Sequence, residues 1–287
     1  MRGAVIWLIL ALGLAPVAAA QNENPDDDIV WKRLHAGVFA NAPIEPGDGV
    51  VELDTPKRAD DATVVPVAIR ARLAQATEHF IETIWLIVDN NPSPVAAIFH
   101  FTPQSGRADV ETRIRVEQYT HVRAIARTND GRLFMATNYV KASGGCTAPA
   151  GKDATSALAT LGRMRMKVDG TPVPGRPILA QLMISHPNDS GLAMDPIART
   201  YAAPHFVRTV EVTYAGKPVL RAEVDFSISE NPNFRFYFTP GSGGQLEARI
   251  VDNEDQAFST AISLESIAGA VGGRIEGQPD AHEHAAR

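Results

Sequence analysis

A single cysteine, Cys146, occurs among 287 residues, within the stretch Lys141-Ala-Ser-Gly-Gly-Cys-Thr-Ala-Pro-Ala-Gly-Lys152. A thiol offers two kinds of chemistry, nucleophilic attack and covalent attachment, and both run through the thiolate. A free cysteine titrates near pH 8.5, so a few per cent is reactive at neutral pH unless a neighbouring charge changes that. No apolar period of 2 or 3.6 runs through the stretch, which therefore reads as neither strand nor helix. Gly144 and Gly145 leave the backbone free in φ and ψ and are expected to supply mobility. Lone cysteines are commonly small buried hydrophobes. Here the neighbours are glycine and hydroxyl residues, and the expectation is a mobile arm presenting Cys146 to solvent. Lys141 and Lys152 bracket it.

The remaining candidates assemble no active site. Gly241-Ser242-Gly243-Gly244 joins two strand patterns and lacks the Lys-Ser/Thr ending of a phosphate loop, so it reads as a turn. There is no G-x-S-x-G elbow and no H-E-x-x-H. His282 and His284 lie in a polar tail, and His100 and His121 sit in strand patterns as structural residues. Asp252, Glu254 and Asp255 read as solvated charges at a strand turn, and Asp26-Asp27-Asp28 as the start of a helix instead of a metal site. No metal or cofactor is expected, and no enzymatic activity.

The N-terminus looks like an export signal: Arg2, an apolar run from Ala4 to Leu14, and Ala18-Ala19-Ala20 before Gln21. Cleavage is expected after Ala20, placing the mature chain in a secreted compartment. The run is shorter than the about 20 apolar residues of a membrane helix, and no later stretch is apolar enough to span. The formal net charge of −6 gives no general attraction for nucleic acid or anionic membrane. One cysteine makes no internal disulfide, so stability must come from packing.

The elements that must position the thiol are strands. After a polar start, Ile29, Val30, Leu34, Val38 and Phe39 lie near helical spacing, and Asn41 to Asp61 is a Pro- and Gly-containing connection with an extended piece at Val50 to Leu53. Strand patterns then run at Val64–Leu73, Phe80–Val88, Val95–Phe101, Val110–Val116, Tyr119–Thr128 and Arg132–Val140. Asn90-Asn91-Pro92 and Asn129-Asp130-Gly131 mark turns. A second block holds Met164–Val168, Pro177–Ile184, Val207–Tyr214, Pro218–Val224, Phe234–Phe238, Leu246–Val251 and Ala257–Leu264. Short strands at this spacing, without helical crossovers, argue for β-sandwiches. The expected fold is all-β: two tandem immunoglobulin-like sandwiches with a short N-terminal helix. The divisions expected are a leader (1–20), the helix and lead-in (21–63), a first sandwich (64–142), the cysteine arm and linker (143–162), a second sandwich (163–266) and a disordered tail (267–287). The two halves are expected to pack side by side across an apolar interface.

The strand run from Val64, Asn90-Asn91-Pro92 and the closing Gly144-Gly145-Cys146 resemble SoxY, a sulfur carrier. The second block resembles its partner SoxZ, through His186-Pro187-Asn188-Asp189-Ser190-Gly191, Pro204-His205-Phe206 and Asn231-Pro232-Asn233-Phe234. The whole is similar to fused SoxYZ-like carriers associated with quinoprotein alcohol dehydrogenases. In SoxY the cysteine lies at the free C-terminal end with Gly-Gly after it. Here it is internal and followed by Thr147-Ala148-Pro149. The resemblance implies a periplasmic, non-enzymatic carrier that holds a sulfur-containing intermediate on Cys146. Its partners would be sulfur-oxidising enzymes or a quinoprotein dehydrogenase and its cytochrome c. The alternative it leaves open is a non-catalytic interaction or maturation module for a quinoprotein (PQQ-type) dehydrogenase system, with Cys146 incidental.

Overall fold

The computed structural model describes residues 25–148, 159–194 and 199–264. The expected leader, the tail with His282 and His284 that was expected to be disordered, and part of the linker lie outside these residues.

Asp28 caps the α-helix α1 (Ile29–Phe39) by accepting from the Val30 amide at 2.8 Å, as the acidic run suggested. Trp31 and Phe39 turn inward from it, and Trp31 covers the buried guanidinium of Arg123, 4.1 Å above the ring. Arg123 also hydrogen-bonds both Asp89 oxygens, at 3.0 and 2.9 Å. The helix is held to the sheet by the Arg123–Trp31 contact and by the apolar cluster that Trp31 and Phe39 form with Ile87, Ile125 and Leu133.

The first half then contributes β1 (Ile44–Pro46), β2 (Val51–Asp54), β3 (Val65–Ala71), β4 (Ile81–Val88), β5 (Val95–Phe101), β6 (Val110–Ile114), β7 (Thr120–Thr128) and β8 (Leu133–Val140). The second half contributes β9 (Met164–Val168), β10 (Ile178–Ile184), β11 (Val207–Tyr214), β12 (Lys217–Val224), β13 (Asn233–Phe238), β14 (Gln245–Asp252) and β15 (Ala257–Ser263). β1 had no sequence signature: three residues ending in a proline carry no alternation, and only the parallel pairing with β8 defines them. β6 is shorter than its apolar pattern, because beyond Ile114 the amides of Arg115 and Val116 bond to Ser227 and Ala62 carbonyls outside the sheet.

Two sheets face each other, and each contains strands of both halves. The larger runs β1-β8-β7-β4-β5-β12-β11-β14-β15, the smaller β2-β3-β6-β13-β10-β9. The seam is therefore crossed by backbone ladders. β5 pairs antiparallel with β12, Phe99 opposite Ala222, and β6 with β13, Val110 opposite Phe236. The sandwich reading holds, and the two halves are joined more intimately than side-by-side packing requires. One continuous apolar core spans them, from Val67, Ile69 and Phe99 to Leu182, Val212, Phe234, Phe236 and Phe238. The alternation Phe234–Phe238, with Arg235 and Tyr237 less buried, puts the Phe face inside as its period demands. Phe234 of the second half meets Phe99 of the first edge-on, with ring centroids 6.2 Å apart.

Because this core is shared, truncating it should loosen both halves together. Phe234→Ala is expected to cost about 3–5 kcal/mol, and probes in either half should report one common unfolding transition. Loss of structure in the second half alone, with the first intact, would contradict a shared core.

Candidate functional site

β8 ends at Val140, and the segment that follows does not leave the surface. Lys141 bridges to Arg58, its amide donating to the Lys57 carbonyl at 3.0 Å. Gly144 then donates to the Glu117 carbonyl (2.8 Å) and Gly145 to the Val116 carbonyl (3.0 Å). The chain is laid along residues 115–117, the extension of β6. The geometry explains both glycines. Gly144 has φ +83°, a region L side chains rarely adopt, and a Cβ on Gly145 would stand 2.1 Å from the Ala62 carbonyl oxygen.

Cys146 is consequently buried, with no exposed surface. This corrects the expectation of a thiol presented to solvent. Sequence neighbours suggested exposure, but the surroundings are supplied by distant residues. The Glu117 carboxylate accepts from the Cys146 amide (2.8 Å), the Thr147 amide (3.1 Å) and the Thr147 hydroxyl (2.9 Å). Ser190 of the second half donates its hydroxyl to the Cys146 carbonyl at 2.5 Å. Arg115, itself buried, bridges the halves by donating to the Gly145 and Asn188 carbonyls, both at 3.2 Å. Asn91 fixes the floor: its amide nitrogen donates to the Arg115 carbonyl (2.8 Å) and its oxygen accepts from the Glu117 amide (2.9 Å).

Burial pushes the thiol pKa up to about 12, with the Glu117 charge adding to the rise and Arg115 opposing it. At pH 7 the docked thiol is thus held protonated, against a few per cent thiolate for a free cysteine. The docked thiol is chemically quiet, so reaction at Sγ requires the segment to lift.

The sequence singled out Cys146, Gly144 and Gly145, and the structure brings them together with Glu117, Arg115, Asn91 and Ser190, which it did not single out as site residues. Glu117 and Arg115 lie at the end of an alternating strand pattern and look like outward charges. Asn91 reads as a turn residue, and only its neighbours in space reveal its second role. The three second-half stretches containing His186, His205 and Asn231 do converge. His186 accepts at Nδ1 from the Asn188 amide (3.0 Å), and its own amide lies 3.3 Å from the Asn231 side-chain oxygen. Asp189 and His205 exchange backbone hydrogen bonds at 2.7 and 3.1 Å. Asp252 is no solvated charge, as the sequence suggested. It is fully buried beside both imidazoles, whereas the Asp255 side chain is 82% exposed.

The single cysteine of this mostly β protein is buried at the seam of its two joined halves. Residues 35–146, ending on Cys146 itself, match the family model of sulfur oxidation protein SoxY, and residues 166–263 match that of sulphur oxidation protein SoxZ. The chain belongs to these families, with a SoxY half followed by a SoxZ half in one polypeptide. Among solved structures it is similar to the sulfur carrier protein SoxY from Chlorobium limicola f thiosulfatophilum, at 23% identity over 39% of this chain and 90% of that one, TM-score 0.33. It is also similar to a superoxide reductase (neelaredoxin) from Ignicoccus hospitalis, at 18% identity over 36% and 96%, TM-score 0.32. No curated protein matches. Among the described residues no helix is long and apolar enough to cross a membrane.

The clamp has a measurable consequence. Glu117→Ala removes three hydrogen bonds to a charged acceptor. Taking about 2 kcal/mol for their net worth, thiol labelling by a disulfide reagent should quicken about 30-fold, with Cys146 the labelled site. The pH profile follows from the raised pKa. Docking favours the protonated thiol, so its contribution is complete below about pH 8.5, where the released thiol titrates, and is lost as pH rises toward about 12. Labelling of the native protein should still be climbing at pH 10. A plateau near pH 8.5–9 would mean that the thiol is exposed.

Proposed function

We propose that this protein is a periplasmic, non-enzymatic carrier that holds a sulfur-containing intermediate covalently on Cys146 and presents it to partner enzymes. The observation that carries the reading is the SoxY match ending on Cys146, the only cysteine, followed by the SoxZ match in the same chain. Both families are of sulfur oxidation proteins. The export signal read at residues 1–20, with cleavage after Ala20, supports the location.

Carriage is a cycle between two states of the segment. Docked, the thiol is protonated and shielded. Lifted, its pKa returns toward 8.5 and the thiolate becomes available. Loading replaces the S–H bond with a bond from Sγ to the cargo sulfur. For a thiol cargo this is a two-electron oxidation, releasing two protons and passing two electrons to the loading enzyme. Gly144 and Gly145 serve docking in one state and hinge freedom in the other. The segment is continuous with the chain on both sides, so its reach is shorter than that of a free end and partners must approach it. The division of labour that fits this cycle is a first sandwich (64–142), an arm and linker (143–162) and a second sandwich (163–266), whose Ser190 steadies the docked arm.

The buried thiol also favours a second reading, a docking or maturation module for a quinoprotein dehydrogenase or its cytochrome c, in which Cys146 is a packed residue. Intact mass of protein recovered from its native periplasm without reductant separates the two. A carrier is expected to show a mass increment that maps to Cys146 and is removed by dithiothreitol. Free thiol alone, with partner enzymes active, would overturn carriage. Cys146→Ser should abolish pathway activity in the host for a carrier and leave it intact for a docking module.

A further inference from the structure

β15 (Ala257–Ser263) ends the larger sheet, and its outer edge is built unlike the other edges of the two sheets. At the far side of the larger sheet, β1 is three residues long and ends in Pro46. The smaller sheet ends in β2, which carries Glu52 and Asp54, and in β9, which carries Arg165 and Lys167. Shortness, proline and charge are the devices that keep a strand edge from pairing with another chain. β15 has none of them: Ala-Phe-Ser-Thr-Ala-Ile-Ser is seven residues long and holds neither a charge nor a proline.

The direction of its backbone groups follows from its pairing with β14. The Leu264 amide donates to the Gly244 carbonyl and the Asp252 amide to the Gln256 carbonyl, both at 3.1 Å, just beyond the two ends of the ladder. The register between them sets Ile262 opposite Leu246, Thr260 opposite Ala248 and Phe258 opposite Ile250. Hydrogen-bonded and non-bonded pairs alternate in an antiparallel ladder. The even-numbered residues therefore bond β14, and Ser259 and Ala261 turn their N–H and C=O groups outward. Among the described residues these groups meet no backbone partner.

A second copy laid antiparallel about a two-fold axis through Thr260 sets Ser259 of each copy opposite Ala261 of the other, with four N–H···O bonds. The same register puts Thr260 against Thr260 and Phe258 against Ile262, pairings of kinds that stabilise antiparallel strands. The charges match as well. Glu247 lies beside Ala261 and Arg249 beside Ser259, all on the exposed face of the sheet. Neither Glu247 nor Arg249 forms an ion pair among the described residues. Across the axis Glu247 of one copy and Arg249 of the other stand three strand spacings apart, about 14 Å. Extended side chains span that gap over the small Ala261 and Ser259, and symmetry makes the pair twice.

We infer that the outer edge of β15 is a self-recognition surface, to which a second copy of this chain adds its own β15 antiparallel about Thr260, continuing the larger sheet across a two-fold axis. The inference is independent of covalent carriage. β15 lies at one end of the larger sheet, while β8, which leads to Cys146, lies next to the strand at the other end. Pairing through β15 thus leaves both thiol segments outside the interface.

The test uses the full chain in a Cys146→Ser background, so that Cys146 makes no disulfide between copies. Sedimentation equilibrium is expected to show a dimer. Ala261→Pro removes two of the four bonds without touching the ladder to β14, and should weaken the dimer about 30-fold. Glu247→Arg sets like charges together and should weaken it too. Adding Arg249→Glu should restore the affinity, a readout that stands even if the proline disturbs folding. Thr260→Cys should join two copies by a disulfide on mild oxidation, because a non-bonded antiparallel pair brings Cα atoms to about 4.5 Å. A monomer at about 100 µM chain, a dimer indifferent to both Ala261→Pro and Glu247→Arg, or a Thr260→Cys chain that stays unlinked would overturn the proposal.

Discussion

The structure depends on the seam, where β5 pairs with β12 and β6 with β13. Each half brings an incomplete pair of sheets, and the unpaired edges of one are completed by the other. An open strand edge in water is a liability, and closing two of them at once removes backbone groups from solvent along with the apolar faces behind them. The protein has no disulfide with which to stabilise either half, and the ladders and the common core replace one. Covalent joining of the halves keeps each partner at high effective concentration.

The same seam shapes the cysteine site. Where β6 ends, the chain stops pairing within the sheet and offers its carbonyls at Val116 and Glu117, and Gly144 and Gly145 take them. The second half closes the site from the other side with Ser190 and the Asn188 carbonyl, reached by the hydroxyl-to-Cys146 and Arg115 bonds. Docking of the thiol is thus a property of the joined halves. A buried, protonated thiol is shielded from adventitious oxidation, because both thiolate character and access govern that chemistry.

The second half carries an additional burden in its buried polar cluster. Asn188 adopts φ +46° and links Ile228 and Val207 through its side-chain amide. Its neighbours His186 and Ser190 face different tasks from the same turn, one toward Asp252 and one toward Cys146. A single short turn therefore joins the polar interior of the second half to the thiol at the seam.

Much of this molecule was legible in its residues. Alternation and turn chemistry placed the helix and nearly all the strands, because side-chain period and Asn-Asp-Gly or Asn-Pro turns are local properties. The cysteine and its glycines stood out by type, and the quoted motifs were enough to suggest both families. Residue type did not determine where Cys146 would lie. Gly144 and Gly145 allow a swinging arm and a docked one equally, since glycine permits either backbone path. The choice fell to Glu117, Arg115, Asn91 and Ser190, residues separated from Cys146 by 29 to 55 positions and brought to it only by sheet pairing. Likewise Asp252 looked solvated, and only the approach of His186 and His205 from other strands removed it from water. Local sequence determined the elements; the pairing of strands across the seam decided which side chains met and which groups lost their solvent.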